Sequence, residues 1–191
     1  MDTETGRDRK IELPEPRIEG SVSVEAAIEA RRSRRSFGDG PLSLAVVSQL
    51  LWATQGITDS EAGFRAAPSA GATFPLEVYL TVRSGGIPDL SAGVYHYRPR
   101  AHELVMTAKG DVQTDLRDAA LDQAWVEQAP LTIVLAGVDA RTEQQYQDRG
   151  SERYVPMEAG HAGENIYLQA EALDLGTVAV GAFRDGAVSE V

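Results

Sequence analysis

The chain contains no cysteine, which excludes a disulfide framework, thiolate zinc sites and cysteine nucleophiles. Lysine is nearly absent: Lys10 and Lys109 stand alone, and every other basic residue is arginine. Acidic residues number 29 against 18 basic ones, for a net charge of -11. So acidic a surface repels a phosphate backbone, and no nucleic-acid partner is expected. The three histidines, His96, His102 and His161, include no HExxH pair. His161 follows Glu158 by three residues, but no second helix offers matching ligands, so no metal site is expected. GxSxG, Walker and GxGxxG motifs are missing, which leaves no hydrolase triad to nominate. No apolar run approaches the ~18 residues that span a bilayer. The opening MDTETGRDRK lacks the apolar core of a signal peptide. No membrane partner and a cytoplasmic location are therefore expected.

What remains is enough for one domain. The chain has 191 residues at 42% hydrophobic content, which suits a single core. Residues 1–22 are charged, carry Pro14 and Pro16 and show no periodicity, so they predict an extended or mobile lead-in. The folded domain is placed at 23–191. Ser23 is the expected N-cap of a first helix, and Ser43 of a second ending near Gly56. A polar loop follows through Arg65, then the turn-rich Pro68–Pro75. Leu76 to Val82 alternates as a strand should. Val94 to Tyr97 and Leu104 to Met106 predict a hairpin, and Asp111 to Val126 a helix broken near Asp122. Leu131 to Val138 is apolar throughout and predicts a central strand. Arg141 to Arg149 is polar, a helix or a lid.

The stretch from Arg153 to Asp185 organises the rest. Val155, Ala159, Ala162, Ile166, Ala170 and Leu173 make one helical stripe. Pro156 fits a first turn, and Gly176 is the expected stop. Tyr167, Leu168, Ala172 and Leu175 extend the apolar surface, which predicts a helix buried nearly all round. Gly160 and Gly163 leave its first half bare of bulk, open to another backbone or a flat ligand. Thr177 to Gly181 then predicts a short strand. The element order gives an α+β or α/β layered domain with a mixed sheet.

Two segments could carry chemistry. Arg31-Arg32-Ser33-Arg34-Arg35 is either an anion trap, with arginine forks and a serine hydroxyl for a phosphate, or a solvated basic run. Pro68–Pro75 either presents backbone N–H groups to a planar ring or phosphate, or simply connects two elements.

RRSRRSF, LLWATQGIT, RAAPSAGATFPLEVYL, GVYHYRP, AWVEQAPLTIVLA and RYVPMEAGHAGENIYLQAEALDLGTVAVGAFRD occur in that order. Together they resemble the FMN-dependent nitroreductase family, most closely its SagB-type dehydrogenase branch with the azoline-forming peptide oxidases. The resemblance covers roughly Val24 to Val191. It implies a three-layer α+β fold with a mixed, mostly antiparallel sheet flanked by helices, in a homodimer whose long central helix lies at the interface. It also implies FMN as cofactor, NAD(P)H as donor and a small-molecule or peptide-derived acceptor. Carried over by motif, Arg31, Ser33 and Arg35 would hold the FMN phosphate and ribityl chain, with Arg32 between them. Pro68, Ser69 and Ala70 would touch the flavin of the other subunit. Ala72 stands where the nitroreductases carry an asparagine. Ala179, Val180, Gly181 and Ala182 would lie beside the ring near N5, where hydride enters and leaves. Azoline oxidases carry a Lys-Tyr pair before the central helix. Gln145-Tyr146 stands there, which keeps Tyr146 as the candidate catalytic residue without the lysine. The family's further C-terminal segment, which wraps onto the partner subunit, is expected to be lacking after Val191. The alternative function is a flavin-binding dimeric module without turnover, a partner of a natural-product enzyme.

Overall fold

The computed structural model describes residues 10–191. Its centre is a five-stranded sheet in the order β1-β6-β5-β4-β7. The strands are β1 (Lys10–Glu12), β4 (Leu76–Val82), β5 (Gly93–Arg98), β6 (Glu103–Lys109) and β7 (Leu131–Gly137). Every pairing within it is antiparallel. Among the described residues the parallel component is one isolated bridge, Ser33 to Thr177. A small hairpin, β2 (Ile57–Asp59) with β3 (Phe64–Arg65), occupies what reads in sequence as a polar loop.

The helices cover both faces. The alternation of β4 sends Val78, Leu80 and Val82 to one side, where they join Val47 and Leu51 of α2 (Leu44–Gln55) with Tyr95, Tyr97 and Leu104. Burying such side chains contributes ~1.5–3 kcal/mol each. α1 (Val24–Ala30) and α6 (Val155–Ala172) lie on this side too, α6 packed on α2. On the other face Thr81 donates to Gln113 of α3 (Gln113–Ala119), and Glu77 pairs with Arg141 of α5 (Asp139–Tyr146). α4 (Ala124–Gln128) and α7 (Asp185–Glu190) complete the chain. Ser23 and Ser43 cap α1 and α2 through bonds from the N–H groups of Ala26 and Val46. The break near Asp122 is present, with Leu121 and Asp122 both at positive φ.

Four expectations change. β7 is the edge strand, not a central one; its apolar composition comes from helix cover, with Leu135 packed against two core clusters. α6 is preceded by a wide turn (Gly150–Tyr154) and ends at Ala172. Its stop is not Gly176 but Asp174, in the left-handed region at φ 57°. The N–H groups of Leu175 and Asp174 donate to the carbonyls of Ala170 and Glu171, a Schellman closure. Nor is α6 buried all round: only Val155, Glu158, Ala162 and Ala170 are, and Met157 is 54% exposed. Finally, Thr177 to Gly181 forms no strand beyond the Thr177 bridge.

The lead-in is extended from Lys10 onward; residues 1–9 lie outside the described ones. After β1 it crosses α2 as a strap. Leu13 is buried, and the Ser48 hydroxyl donates to the Pro14 carbonyl. Gln49 accepts from the Arg17 N–H at 2.8 Å and donates to the Arg17 carbonyl at 3.0 Å. His102 sits under the strap, with Nε2 2.7 Å from Ser48 Oγ and Nδ1 2.8 Å from the Tyr97 hydroxyl. Burial holds its pKa below the ordinary histidine value, against the opposing pull of the Pro14 carbonyl and Glu15. The folded chain therefore binds this proton less readily than the unfolded chain, and stability must fall as pH drops below about 6.5. Melting temperature is expected to decline from pH ~7 to ~5.5 in the native chain. His102→Gln should flatten that part of the curve; an unchanged slope would remove His102 as its source.

Candidate functional site

The arginine cluster is not on a helix. α1 stops at Ala30, Arg31 caps it with φ −51° and ψ 124°, and the chain then runs extended. The Arg34 N–H donates to the Thr177 carbonyl at 2.9 Å. The side-chain period is therefore two rather than 3.6, and alternate residues share a face. Arg31, Ser33 and Arg35 point one way. The Arg31 guanidinium lies 5.3 Å from the ring centre of Tyr167, and Arg35 lies 5.4 Å from that of Trp125. Ser33 Oγ is 2.9 Å from the Tyr167 hydroxyl. The other two arginines are occupied elsewhere. Arg32 donates to the carbonyls of Glu29 and Arg31. Arg34 donates to Glu171 at 2.9 Å, so it is ion-paired rather than merely solvent-facing.

The segment Ala179 to Ala182 runs beside this face. The Ala179 N–H donates to the Tyr167 hydroxyl at 2.8 Å, so one tyrosine joins it to Ser33. Val180 packs with Trp125 against Leu116, Ala120 and Val126. The Ala182 carbonyl accepts from Gln123 at 2.8 Å. Gly181 faces open space; a Cβ there would meet nothing within 4 Å. The Trp125 indole N–H is buried with no hydrogen-bond partner among the described residues. Tyr167 and Trp125 were not singled out from sequence. Tyr167 reads there as one more apolar position of the helix, and its polar tip is the signal that points elsewhere.

The second group lies around Pro68–Pro75. Gly71, Ala72 and Phe74 all adopt positive φ, at 59°, 53° and 44°. α5 rests on this turn. Thr142 Oγ1 is 2.9 Å from Thr73 Oγ1, and Arg141 donates to the Phe74 carbonyl at 3.1 Å. A Cβ on Gly71 would come within 2.7 Å of the Tyr146 hydroxyl, so only glycine lets Tyr146 approach this closely. Tyr146 meets Tyr154 edge-on at 4.7 Å. An open hollow of about 470 Å³ is lined by Gln145, Tyr146, Gln147, Asp148 and Arg149. Gln147 carries φ 54° there, a strained conformation for a residue with a side chain.

Beneath the turn sits Glu158 on α6, 2% exposed. Burial raises its pKa; hydrogen bonds from Ser69 and Gln55 and the charges of Arg65 and His161 oppose that shift. Glu77, under Arg141 and His96, goes the other way. Burial would raise it, but hydrogen bonds and charge from those two partners outweigh burial and lower it.

The structure thus brings Arg31, Ser33 and Arg35 together with Ala179–Ala182, and Pro68–Ala70 together with Tyr146. It does not bring the two groups together in one chain. Their anchors on α6, Tyr167 and Glu158, are nine residues apart, roughly 14 Å at the helical rise.

Comparison with known proteins decides the family. The model of the nitroreductase family matches residues 28–191. The chain belongs to the nitroreductase family. A Methanocaldococcus jannaschii protein whose nitroreductase name is itself provisional is 42% identical over 186 residues, 97% of this chain and 90% of that protein. A nitroreductase-like crystal structure from Ralstonia eutropha superposes with TM-score 0.81 at 31% identity, covering 95% of this chain and 80% of the other. Another from Anabaena variabilis gives TM-score 0.82 at 26% identity; this chain is covered in full and spans 41% of that one. Nitroreductase membership fits the layered α+β fold described above. No helix among the described residues is long and apolar enough to cross a membrane.

Proposed function

We propose that this nitroreductase is an FMN-dependent oxidoreductase that works as a homodimer. The observation that carries the reading is the shared face of Arg31, Ser33 and Arg35 beside the open backbone at Gly181. FMN presents a phosphate, a hydroxylated chain and a flat ring, and the residues present fit each part. Two guanidinium groups and a hydroxyl suit the phosphate and ribityl chain. The indole N–H of Trp125, buried and without a partner among the described residues, lies beside Arg35. Gly181 and the small side chains of Ala179 and Ala182 leave room for a ring edge. Arg32 is assigned an outer role, since it faces the carbonyls of α1.

Bound FMN would supply hydride transfer between NAD(P)H and an acceptor, while the protein supplies position and electrostatics. Pro68, Ser69 and Ala70 would approach from the second chain, because within one chain they stand too far from the arginine face. Tyr146, against Gly71 at the open hollow, would meet a small-molecule or peptide-derived acceptor. A cytoplasmic setting follows from the same reading.

The test is the colour of the purified protein. A yellow preparation that bleaches anaerobically with NADH or NADPH is expected. A yellow preparation indifferent to both would favour a flavin-binding module without turnover, and a colourless one that does not take up added FMN would sink the reading. Acceptor choice gives a second expectation. Gln145 cannot exchange a proton as lysine can, so quinones or nitroaromatics should reoxidise the reduced protein. Thiazoline or oxazoline peptides should not do so at a useful rate; azole formation as fast as quinone reduction would overturn this.

A further inference from the structure

Gly181 should not hold still on its own. Glycine loses more conformational freedom on folding than any other residue, and this one is exposed and faces open space. Its neighbours are nonetheless tied on both sides. The Ala179 N–H donates to the Tyr167 hydroxyl, and Val180 packs into the cluster of Leu116, Ala120 and Val126. The Ala182 carbonyl accepts from Gln123 Nε2 at 2.8 Å. Two residues on, the Arg184 N–H donates to the Ala119 carbonyl at 2.9 Å and its guanidinium to the Asp118 carbonyl at 2.6 Å.

The donor count at Gln123 leaves it one arrangement. Nε2 also donates to the Ala120 carbonyl at 2.7 Å. Both partners are carbonyl oxygens, which only accept, so the amide nitrogen must face them. Its two protons are divided between the end of α3 and the segment that carries Gly181. Carbonyls at the C-terminal end of a helix lack partners further along it, and Arg184 and Gln123 donate to three of them. The turn that delivers Gln123 holds Leu121 and Asp122 at φ 57° and 59°. Two consecutive residues with side chains in the left-handed region are strained, and such strain persists where the surroundings over-determine it. Here it sets the Gln123 amide against Ala182, at the N-cap of α4 and two residues before Trp125, on whose ring Arg35 lies.

We propose that Gln123 is a positioning residue: through the Ala182 carbonyl it fixes the Gly181 backbone on the side assigned to the flavin ring. The ring arm rests on the FMN reading above; the hold on the segment does not. A residue that acts on the ring alone does not distinguish FMN from riboflavin, which lacks the phosphate, whereas Arg31 does.

The experiment uses the full chain, first without flavin and then with it. Amide hydrogen exchange at Arg184 and a thermal melt are measured on the free protein. FMN and riboflavin affinities follow by fluorescence quenching, with the visible absorption of the FMN-saturated protein. The variants are Gln123→Met, Gln123→Glu and Arg184→Met. Gln123→Met keeps the side-chain length and removes both donors. It is expected to weaken both flavins by the same factor, about two- to tenfold for one net hydrogen bond. It should lower Arg184 amide protection by a similar factor and shift the flavin band at saturation. Gln123→Glu should do at least as much, because a carboxylate cannot donate to two carbonyls. Arg184→Met removes a bond to the end of α3 without touching Ala182. It should lower the melting temperature and leave the band and both affinities native. Native affinities and a native band in both Gln123 variants would overturn the proposal. So would a loss confined to FMN, or an Arg184→Met protein that reproduces the Gln123 changes. If the native chain binds neither flavin, the FMN reading fails and exchange at Arg184 alone decides: protection unchanged in Gln123→Met would mean that Gln123 does not hold the segment.

Discussion

Arg31→Ala or Arg35→Ala is expected to weaken FMN binding ten- to a hundredfold, while Arg34→Ala changes it by less than about twofold. A hydrogen bond to a charged group contributes ~1.5–3 kcal/mol, and each 1.4 kcal/mol is about a factor of ten. Net charge sharpens the point. A chain at -11 repels a phosphate everywhere except where positive charge is concentrated. Within the cluster the structure separates two classes. Arg31 and Arg35 lie on aromatic rings on the Ser33 side and are not committed to a short ion pair; the nearest acid to Arg31, Glu164, is 3.9 Å away. Arg34 lies on the opposite side and is bonded to Glu171 at 2.9 Å. Its loss should appear in thermal stability instead, by no more than ~1 kcal/mol, because the pair is half exposed. The measurement is fluorescence quenching of FMN at one fixed salt concentration, with a melt on each variant. Equal losses in all three variants would mean a diffuse basic patch, and the assignment by residue would fall.

The extended run also shows what the sequence could and could not convey. Arg31 to Arg35 carries no glycine or proline to stop α1, so nothing local excludes a helical continuation, which would set Arg31 and Arg35 on one face and Ser33 behind them. The bridge to Thr177, distant in the chain, changes the period and puts all three together. Features fixed by neighbouring residues were legible. Ser23 and Ser43 cap helices through bonds three residues away, and β4 shows its buried face as a plain alternation. Features fixed by distant residues were not. The apolar run of β7 announces cover on its faces but says nothing of its place at the sheet edge. Glu158 sits on a helix that reads as apolar, and its hydrogen-bond partner Gln55 comes from α2. Asp174 took the left-handed position expected of a glycine because its φ is set by the Schellman bonds around it.

Gly160→Leu and Gly163→Leu are expected to separate the proposed dimer without harming the chain. Within one chain neither glycine is hemmed in: a Cβ built on either would meet nothing within 4 Å. An open helical glycine is a net cost, since leucine is favoured there by up to about 1 kcal/mol. A monomeric protein would therefore be indifferent to the change or gain from it. The same side of the molecule carries apolar groups that solvent does not explain. Met157 on α6 is 54% exposed, and Val24 and Ile28, one turn apart on the neighbouring α1, are 64% and 57% exposed. In the proposed dimer a second copy seated against this bare surface would bury them. In such a two-fold interface each substitution enters twice. Overpacking costs ~1–3 kcal/mol per site, so two sites amount to roughly 2–6 kcal/mol, or at least about a thirtyfold rise in the dimer dissociation constant. FMN should be lost in parallel, because the proposed site draws on both chains. Sedimentation equilibrium with a thermal melt on the same samples distinguishes the outcomes. A native chain that is monomeric with FMN bound would sink the shared site, and a Gly160→Leu dimer of undiminished affinity would move the interface away from α6.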